Sequence, residues 1–118
     1  MAKVLLVDDE PLLLDAYQRM LRQTAFDCQT LSDSTQVLDY LNQHQVQIVV
    51  VDQLMPGLQG SDLLLLLAKE HPAIKRVLIS GNLNLVEPVA KAAAHSLLEK
   101  PCSKAVLLST LQALIEQA

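Results

Sequence analysis

The sequence predicts a doubly wound α/β fold, in which helices cover both faces of a five-stranded parallel sheet. Short apolar runs of strand length alternate along the chain with segments of helical spacing. This alternation is typical of βα units, whose right-handed crossovers place helices on both faces of a parallel sheet. The middle run, Val46–Val51, is rich in β-branched residues and has almost no polar alternation. A strand of this kind is expected to be buried on both faces.

The first part of the chain predicts two strands and two helices before that central strand. Val4–Val7 is the first apolar run, and a weaker strand is predicted near Cys28–Leu31. Ser34 is a candidate N-cap for a short second helix. The first helix follows Pro11, where apolar residues recur at the three-and-four spacing of an amphipathic helix: Leu13, Ala16, Tyr17, Met20 and Leu21.

The second part of the chain predicts three more helices and two more strands. Ser61 or Asp62 can cap the third helix, and Pro72 lies just beyond its end. The alternation of five strands with five helices favours the flavodoxin-like strand order 2-1-3-4-5, which sets the first and third strands side by side. The predicted elements are a helix at about Ser61–Glu70, a strand at Arg76–Ser80, a short helix near Val86–Ala94, a strand at Ser96–Leu98 and a helix at Lys104–Gln117.

Length, hydropathy and charge narrow the class of protein. The 118 residues fit one domain, residues 1–118, with no internal repeat. The longest apolar stretch, Leu63–Ala68, is far below the roughly 18 residues of a membrane span. A net charge of -4 with scattered basic residues gives no footprint for nucleic acid. We therefore expect a cytoplasmic protein with neither a membrane nor nucleic acid as a direct partner.

Reactive polar residues stand where the predicted strands end. Asp8 and Asp9 follow the first run, Asp52 follows the third, Ser80 closes the fourth, and Lys100 comes shortly after the fifth. Each alone is also compatible with an ordinary strand end, loop or surface residue. Together they would meet at one edge of a parallel sheet. Clustered carboxylates repel one another unless a cation lies among them, and all-oxygen ligation suits Mg²⁺.

Four motifs in order carry a resemblance to a known family. The chain resembles a two-component response-regulator receiver domain over essentially its whole length. Each motif alone is weak, but the four together at near-family spacing are a specific joint signal. The motifs are Val7-Asp8-Asp9-Glu10-Pro11, Asp52-Gln53-Leu54-Met55-Pro56-Gly57, Ser80-Gly81 and Glu99-Lys100-Pro101.

The resemblance implies a phosphorylation-controlled signalling switch. Asp52 would be the phosphoacceptor, taking a phosphoryl group from a sensor histidine kinase or a phosphotransfer protein. Asp9 would bind Mg²⁺ directly and Asp8 largely through water, while Asp52 and the backbone carbonyl of Leu54 would complete the protein ligands. Ser80 and Lys100 would bind phosphoryl oxygens. The domain would be regulatory and not an enzyme, although it would assist its own phosphorylation and dephosphorylation.

The predicted output side, formed by the fourth helix, the fifth strand and the fifth helix, departs from the family pattern. Leu97 stands where most receivers have an aromatic switch residue, and the segment from Ser80 to Lys100 is about two residues short. The resemblance also implies a cis peptide bond before Pro101, and it makes Leu54 and Asn82 rate-adjusting positions. The fourth helix, fifth strand and fifth helix would form the surface that changes on phosphorylation, and a homodimer through it is left open. The effector is unknown.

Two other functions remain open from the sequence. A receiver-like fold can act as a docking or dimerisation module without phosphorylation, and the departures at Leu97 and in the short segment from Ser80 to Lys100 keep this alternative open, although the presence of all five site residues ranks it second. An aspartyl-nucleophile phosphohydrolase uses similar groups. It usually has a spaced Asp-x-Asp motif after the first strand, whereas Asp8 and Asp9 are adjacent, and this chain has no room for a substrate cap.

Overall fold

A central parallel sheet organises the protein. The computed structural model describes residues 2–53 and 58–116. Within them, five strands lie in the order β2-β1-β3-β4-β5, which confirms the predicted fold class and strand order. The strands are β1 (Ala2–Val7), β2 (Phe26–Leu31), β3 (Ile48–Asp52), β4 (Lys75–Ser80) and β5 (Ser96–Glu99). The α-helices are α1 (Pro11–Leu21), α2 (Val37–Gln43), α3 (Gly60–Glu70), α4 (Pro88–Ala93) and α5 (Lys104–Glu116).

Strands β1 and β3 are neighbours in register. Val4 pairs with Ile48, and Val7 pairs with Val51. Because the two strands are parallel and their last pairs are level, the residues that follow them emerge at the same edge of the sheet. This register brings the residues after Val7 close to Asp52.

Alternate residues of the central strands feed hydrophobic cores on opposite faces of the sheet. Val4 and Leu6 pack in the core that contains residues of α1 and α5. Leu5 and Val7 pack in the core that contains residues of α2 and α3. A third, smaller cluster joins Leu64 of α3 to β4 and α4. The two-sided burial explains why the strands read as continuous apolar runs.

Several helix starts differ from the sequence prediction. A 3₁₀ turn at Ser34–Gln36 precedes α2, and its cap is the Asp33 carboxylate, which accepts from the Thr35 backbone N–H at 2.9 Å. Ser34 itself is buried, and its hydroxyl donates to the Leu58 carbonyl at 2.6 Å. This long-range bond outweighs the local capping preference.

Helices α3 and α4 also start differently from the prediction. Helix α3 begins at Gly60, and no side chain caps it. Helix α4 has only six residues, with Pro88 in its first turn. A second 3₁₀ turn, Leu83–Leu85, stands between β4 and α4. The predicted end of the last helix, Gln117, lies outside the described residues.

The described helices are too short or too polar to cross a lipid bilayer.

Candidate functional site

Buried polar residues lie at the carboxyl edge of the sheet. Asp8 follows β1, Asp52 ends β3 and Ser80 ends β4. Their exposed fractions are 2%, 5% and 4%, although charged and hydroxyl groups are usually found at the surface. Burial of such groups without partners is unfavourable, so their placement together indicates a site.

Lys100 is the cation of this edge. Its Nζ lies 3.0 Å from Oδ1 of Asp52 and 3.9 Å from Oδ2 of Asp8. The Lys100 backbone N–H donates to the Ser80 carbonyl at 3.0 Å, which ties the end of β5 to the end of β4. The peptide bond between Lys100 and Pro101 is cis, the geometry that the resemblance implied. One lysine thus contacts both buried carboxylates.

Asp8 is poorly compensated in spite of this lysine. Burial is the largest cause that raises the pKa of its carboxyl to about 6, and the charges of Asp52 and Asp9 raise the pKa further. The Glu10 backbone N–H, which donates to Oδ1 at 3.0 Å, and the Lys100 charge oppose this rise. Within the described residues, the buried Oδ2 accepts no hydrogen bond. A divalent cation would supply the missing partner.

Three consecutive acids can present oxygens to one metal ion. The nearest carboxylate oxygens of Asp8, Asp9 and Glu10 all lie within 4.8 Å of one another. Asp8 is buried, whereas Asp9 and Glu10 are exposed. An all-oxygen donor set of this kind fits Mg²⁺, which keeps several waters in its coordination shell. The residues present therefore fit the expected metal.

One acid of this close group was not among the predicted ligands. Glu10 belongs to the close acidic group, which does not include Asp52. The sequence analysis selected Asp8, Asp9 and Asp52 and did not select Glu10. The position of Glu10 beside two acids at a strand end was the sequence signal that could have identified it as a ligand. Leu54, whose carbonyl was the fourth predicted ligand, lies outside the described residues.

Ser80 and Asn82 lie together above the end of β4. The Ser80 Oγ accepts a hydrogen bond from the Asn82 backbone N–H at 3.1 Å. This bond uses an oxygen lone pair, so the hydroxyl proton can be donated to another acceptor. The exposed Asn82 side chain accepts from the Asn84 backbone N–H at 3.0 Å and caps the following 3₁₀ turn. A shift of Ser80 would therefore reach the segment before α4.

Leu97 lies in the interior of the output side. It is half-buried on β5 and packs against the small cluster formed by Leu64, Leu78, Val86 and Ala90. A leucine at this position fills the space between β4, α3 and α4 with an aliphatic side chain. Leu97, which stands where most receivers have an aromatic residue, therefore packs against a cluster that includes Ala90 of α4.

Gly60 is a residue that the sequence analysis did not assign to the site. A Cβ built at this position would lie 2.8 Å from the backbone carbonyl carbon of Asp52 and 2.8 Å from the Gln53 Cα. The Gly60 N–H also donates to the Gln53 carbonyl at 3.1 Å. The start of α3 therefore lies directly on the backbone of Asp52, a contact that only glycine allows. The sequence signal for this close approach was the presence of glycines in the loop before α3.

The strand order and the acid–lysine edge define a flavodoxin-like protein with a polar site at its topological switch point. The family described as the response regulator receiver domain matches residues 4–112. The chain belongs to this family, the receiver domains of two-component response regulators. Receiver domains of this kind are regulatory.

Full-length regulators carry similar segments. The hydrogenase transcriptional regulatory protein HoxA of Cupriavidus necator is 31% identical over 118 residues, which cover 98% of this chain and 24% of that protein. The C4-dicarboxylate transport transcriptional regulatory protein DctD of Pseudomonas aeruginosa is 30% identical and is covered to 25%. The chain thus spans about a quarter of the length of these two regulators.

Solved structures share the fold. A response regulator receiver domain protein from Clostridium thermocellum has a TM-score of 0.90 and 26% identity, with 99% of this chain and 96% of that chain covered. The response regulator TrrA of Thermotoga maritima, solved in complex with Mg²⁺ and BeF, has a TM-score of 0.89 and 21% identity, with 97% and 99% covered. The likeness to TrrA shows the fold alone.

Proposed function

We propose that this chain is a phosphorylation-controlled signalling switch of the cytoplasm, formed by residues 1–118 as one receiver domain. Asp52 accepts a phosphoryl group from the phosphohistidine of a sensor histidine kinase or a phosphotransfer protein. The observation that carries this proposal is the meeting of Asp52, Asp8 and Lys100 at one buried edge. Membership in the receiver family supports the choice of phosphoryl donor.

Mg²⁺ is the metal that the acidic residues would hold. Asp9 would bind it directly, Asp8 would bind it largely through water, and Asp52 and the Leu54 carbonyl would complete the set. The Glu10 carboxylate lies close enough to the two aspartates that it would be a further ligand, direct or through water. When bound, Mg²⁺ neutralises charge on the phosphoryl oxygens and on the clustered carboxylates.

The transfer step uses the carboxylate of Asp52 as nucleophile. One Asp52 oxygen forms a bond to phosphorus, and the bond from phosphorus to the donor histidine nitrogen breaks. The electron pair of that bond stays on the histidine. Lys100, which contacts Asp52 Oδ1 at 3.0 Å before transfer, moves its contact to a phosphoryl oxygen. Its charge then stabilises the group during and after transfer.

The switch follows from Ser80. Its hydroxyl donates to a phosphoryl oxygen, and the backbone that bonds to it at Asn82 shifts as a result. The shift changes the surface of α4, β5 and α5, where an effector or a second copy binds. Asn82 and Leu54 stand at positions that adjust the lifetime of the phosphoryl group.

The second candidate is docking or dimerisation without phosphorylation. The six residues of α4 and the packing of Leu97 against its cluster favour this alternative, because both change the segment that would have to move. We rank it second because Asp8, Asp9, Asp52, Ser80 and Lys100 are all present.

Intact-mass measurement with acetyl phosphate and Mg²⁺ tests the first proposal. The wild-type chain is expected to gain one phosphoryl group, and Asp52→Asn is expected to gain none. Asp62→Asn is the matched control, because Asp62 is an exposed aspartate on α3 and should leave labelling unchanged. Failure of wild type to gain mass while a known receiver does so would favour the docking module.

Two other results would change the assignment. Full labelling of Asp52→Asn would place the acceptor on another residue. Multiple turnover of free phosphate esters, with release of phosphate in large excess over protein, would favour an aspartyl-nucleophile phosphohydrolase.

A further inference from the structure

Gln53, the residue that follows Asp52, is bonded to two elements at once. Its backbone N–H donates to the Ile79 carbonyl of β4 at 2.9 Å. Its backbone carbonyl accepts from the Gly60 N–H, at the start of α3, at 3.1 Å. Its side-chain Nε2 donates to the Ser61 Oγ at 3.2 Å. Three hydrogen bonds therefore fix this residue between β4 and α3.

The side-chain bond between Gln53 and Ser61 is the one that depends on residue type. The two backbone bonds of residue 53 are open to any residue except proline, which lacks the N–H. The side-chain bond needs an amide of the right length at position 53 and a hydroxyl at position 61. The sequence thus adds a clamp, the Gln53–Ser61 bond, to a backbone that is already anchored.

The clamp is a poor choice if its only purpose is to stabilise the fold. In the part of the chain that the structure describes, the buried Oε1 of Gln53 accepts no hydrogen bond. A buried carbonyl oxygen without a donor is unfavourable, and an apolar side chain of similar length would avoid this cost. Unsatisfied buried polar groups are rare, and they occur where a site places demands other than stability.

The position of Gln53 in the chain connects the clamp with the metal site. Asp52 precedes it, and Leu54, whose carbonyl is another of the proposed ligands, follows it. A metal binds more tightly when its ligands are held in place before it arrives, because less conformational freedom is then lost on binding. Residues that hold ligands without touching the metal raise its affinity in this way. A bond that fixes Gln53 limits the freedom of the chain that joins the two ligands.

We propose that Gln53 is a positioning residue for the Mg²⁺ site. Its side chain, bonded to Ser61, restrains the chain that carries Asp52 and the Leu54 carbonyl, so that these ligands are in place before the ion binds. The inference rests on the Mg²⁺ site of the proposed function and deepens it. It gives the first turn of α3 a part in metal binding, although none of the proposed ligands lies on that helix.

The substitution Gln53→Met removes the clamp and keeps a side chain of similar length. Isothermal titration calorimetry of the metal-free chain with MgCl₂ measures the effect. Mg²⁺ affinity should fall by about 3- to 10-fold, the range expected for the loss of one hydrogen bond. Gln59→Met is the matched control, because Gln59 is exposed and its side chain does not cap α3. This control should bind Mg²⁺ like wild type.

The substitution Ser61→Ala breaks the same bond from the side of α3. Alanine is favourable in a helix, so this variant is expected to fold. It should weaken Mg²⁺ binding as much as Gln53→Met does. The double variant should bind no more weakly than either single variant, because the same bond is lost in all three. Additive losses would mean that the two residues act separately, which would overturn the clamp.

Urea unfolding in EDTA separates positioning from a purely structural role. Gln53→Met should be no less stable than wild type, because it removes the unpaired oxygen together with the clamp. Lower stability with unchanged Mg²⁺ affinity would overturn the inference and leave the metal site standing. Equal Mg²⁺ binding by wild type, Gln53→Met and Ser61→Ala would do the same. If wild type binds no Mg²⁺, the proposed metal site fails and the inference fails with it.

Discussion

Lys100 and Asp52 form an ion pair across the carboxyl edge of the sheet, with 3.0 Å between Nζ and Oδ1. Asp52 is almost fully buried, whereas the lysine side chain is 28% exposed. The same Nζ lies 3.9 Å from Asp8. One partly exposed cation therefore balances two buried carboxylates in the metal-free protein, and this balance has consequences that can be measured.

Removal of the lysine should destabilise the metal-free protein. Breaking a fully buried pair costs about 3–5 kcal/mol, and the partial exposure of Lys100 reduces this to about 1–3 kcal/mol for Lys100→Ala. Urea unfolding in EDTA measures the change, with Lys104→Ala on the exposed start of α5 as the control. Mg²⁺ should restore part of the loss. Equal stability of Lys100→Ala and wild type in EDTA would contradict the prediction.

Asp8→Asn should stabilise the metal-free protein at neutral pH. The folded-state pKa of Asp8 is raised from 3.8 to about 6, so the folded protein holds this proton more tightly than the unfolded chain. Stability therefore falls as pH rises from 3.8 to about 6, and the ionised form opposes folding above that window. At 1.36 kcal/mol per unit, the gain on neutralisation is on the order of 2–3 kcal/mol.

The check is a pair of unfolding curves in EDTA, one at about pH 7.5 and one near pH 4, on either side of the titration. Asp8→Asn should exceed wild type in stability at the higher pH and approach it at the lower. Asp9→Asn, at an exposed neighbour, is the control and should show a smaller difference. A loss of stability in Asp8→Asn at both pH values would overturn the prediction.

Gly60 and Gly81 offer a matched pair of alanine substitutions. A Cβ at Gly60 would collide with the backbone of Asp52 and Gln53, so Gly60→Ala is expected to destabilise the protein by at least about 2 kcal/mol. No atom lies within 4 Å of a Cβ at Gly81. Gly81→Ala should be neutral or stabilise by up to about 1 kcal/mol, because it restricts the unfolded chain. Thermal unfolding distinguishes them, and similar midpoints for both variants would refute the assignment.

His95 should make the protein sensitive to mild acid. The Arg76 backbone N–H donates to His95 Nδ1 at 3.0 Å, which requires that nitrogen to be unprotonated. Burial, followed by the charges of Arg76 and Lys75, lowers the pKa of the ring below its ordinary value of 6.5. The unfolded chain thus takes up the proton first. Stability is complete above pH 6.5 and is lost as pH falls through that value toward the folded-state pKa.

His95→Asn tests this acid sensitivity. Asparagine keeps an acceptor near the Nδ1 position and removes the titration, so the acid-side loss of stability should be reduced. His44 is the contrasting control, since its Nδ1 faces the Tyr40 carbonyl at 3.1 Å and must donate there. Protonation leaves that donor in place, so His44→Asn should keep the acid-side loss. If His95→Asn loses as much stability as wild type when the pH falls, the His95 ring is not the cause of the acid sensitivity.

The sequence predicted the sheet well because its strands are buried on both faces. Val46–Val51 is apolar except for Gln47, and the structure places β3 at Ile48–Asp52, so the strand begins two residues later than predicted, ends one residue later and is fully buried. The ends of the apolar runs also marked the polar edge, since Asp8, Asp52 and Ser80 stand where burial of apolar side chains stops. The local sequence pattern was sufficient to predict these positions, because the end of a strand is marked by the residues next to it.

Contacts between distant segments could not be predicted in the same way. The helical spacing turns Tyr17 inward, but it does not show that the residue lines one small pocket with Asp8 and Asp52. Ser34 was expected at a cap and is instead held by the Leu58 carbonyl, 24 residues away. Such bonds depend on how helices pack on the sheet, and local propensity does not encode that packing.

The six-residue α4 makes the output side the least costly part of the fold to rearrange. A helix of under two turns does not form by itself in water, so its existence depends on what anchors it. Two anchors are on hand: the packing of Val86 and Ala90, and the Arg76 guanidinium, which donates to the Ala93 carbonyl at 2.7 Å. If Asp52 is phosphorylated as proposed, a small shift transmitted from that edge can therefore alter how much of the time this helix exists, without disturbing the sheet beneath it.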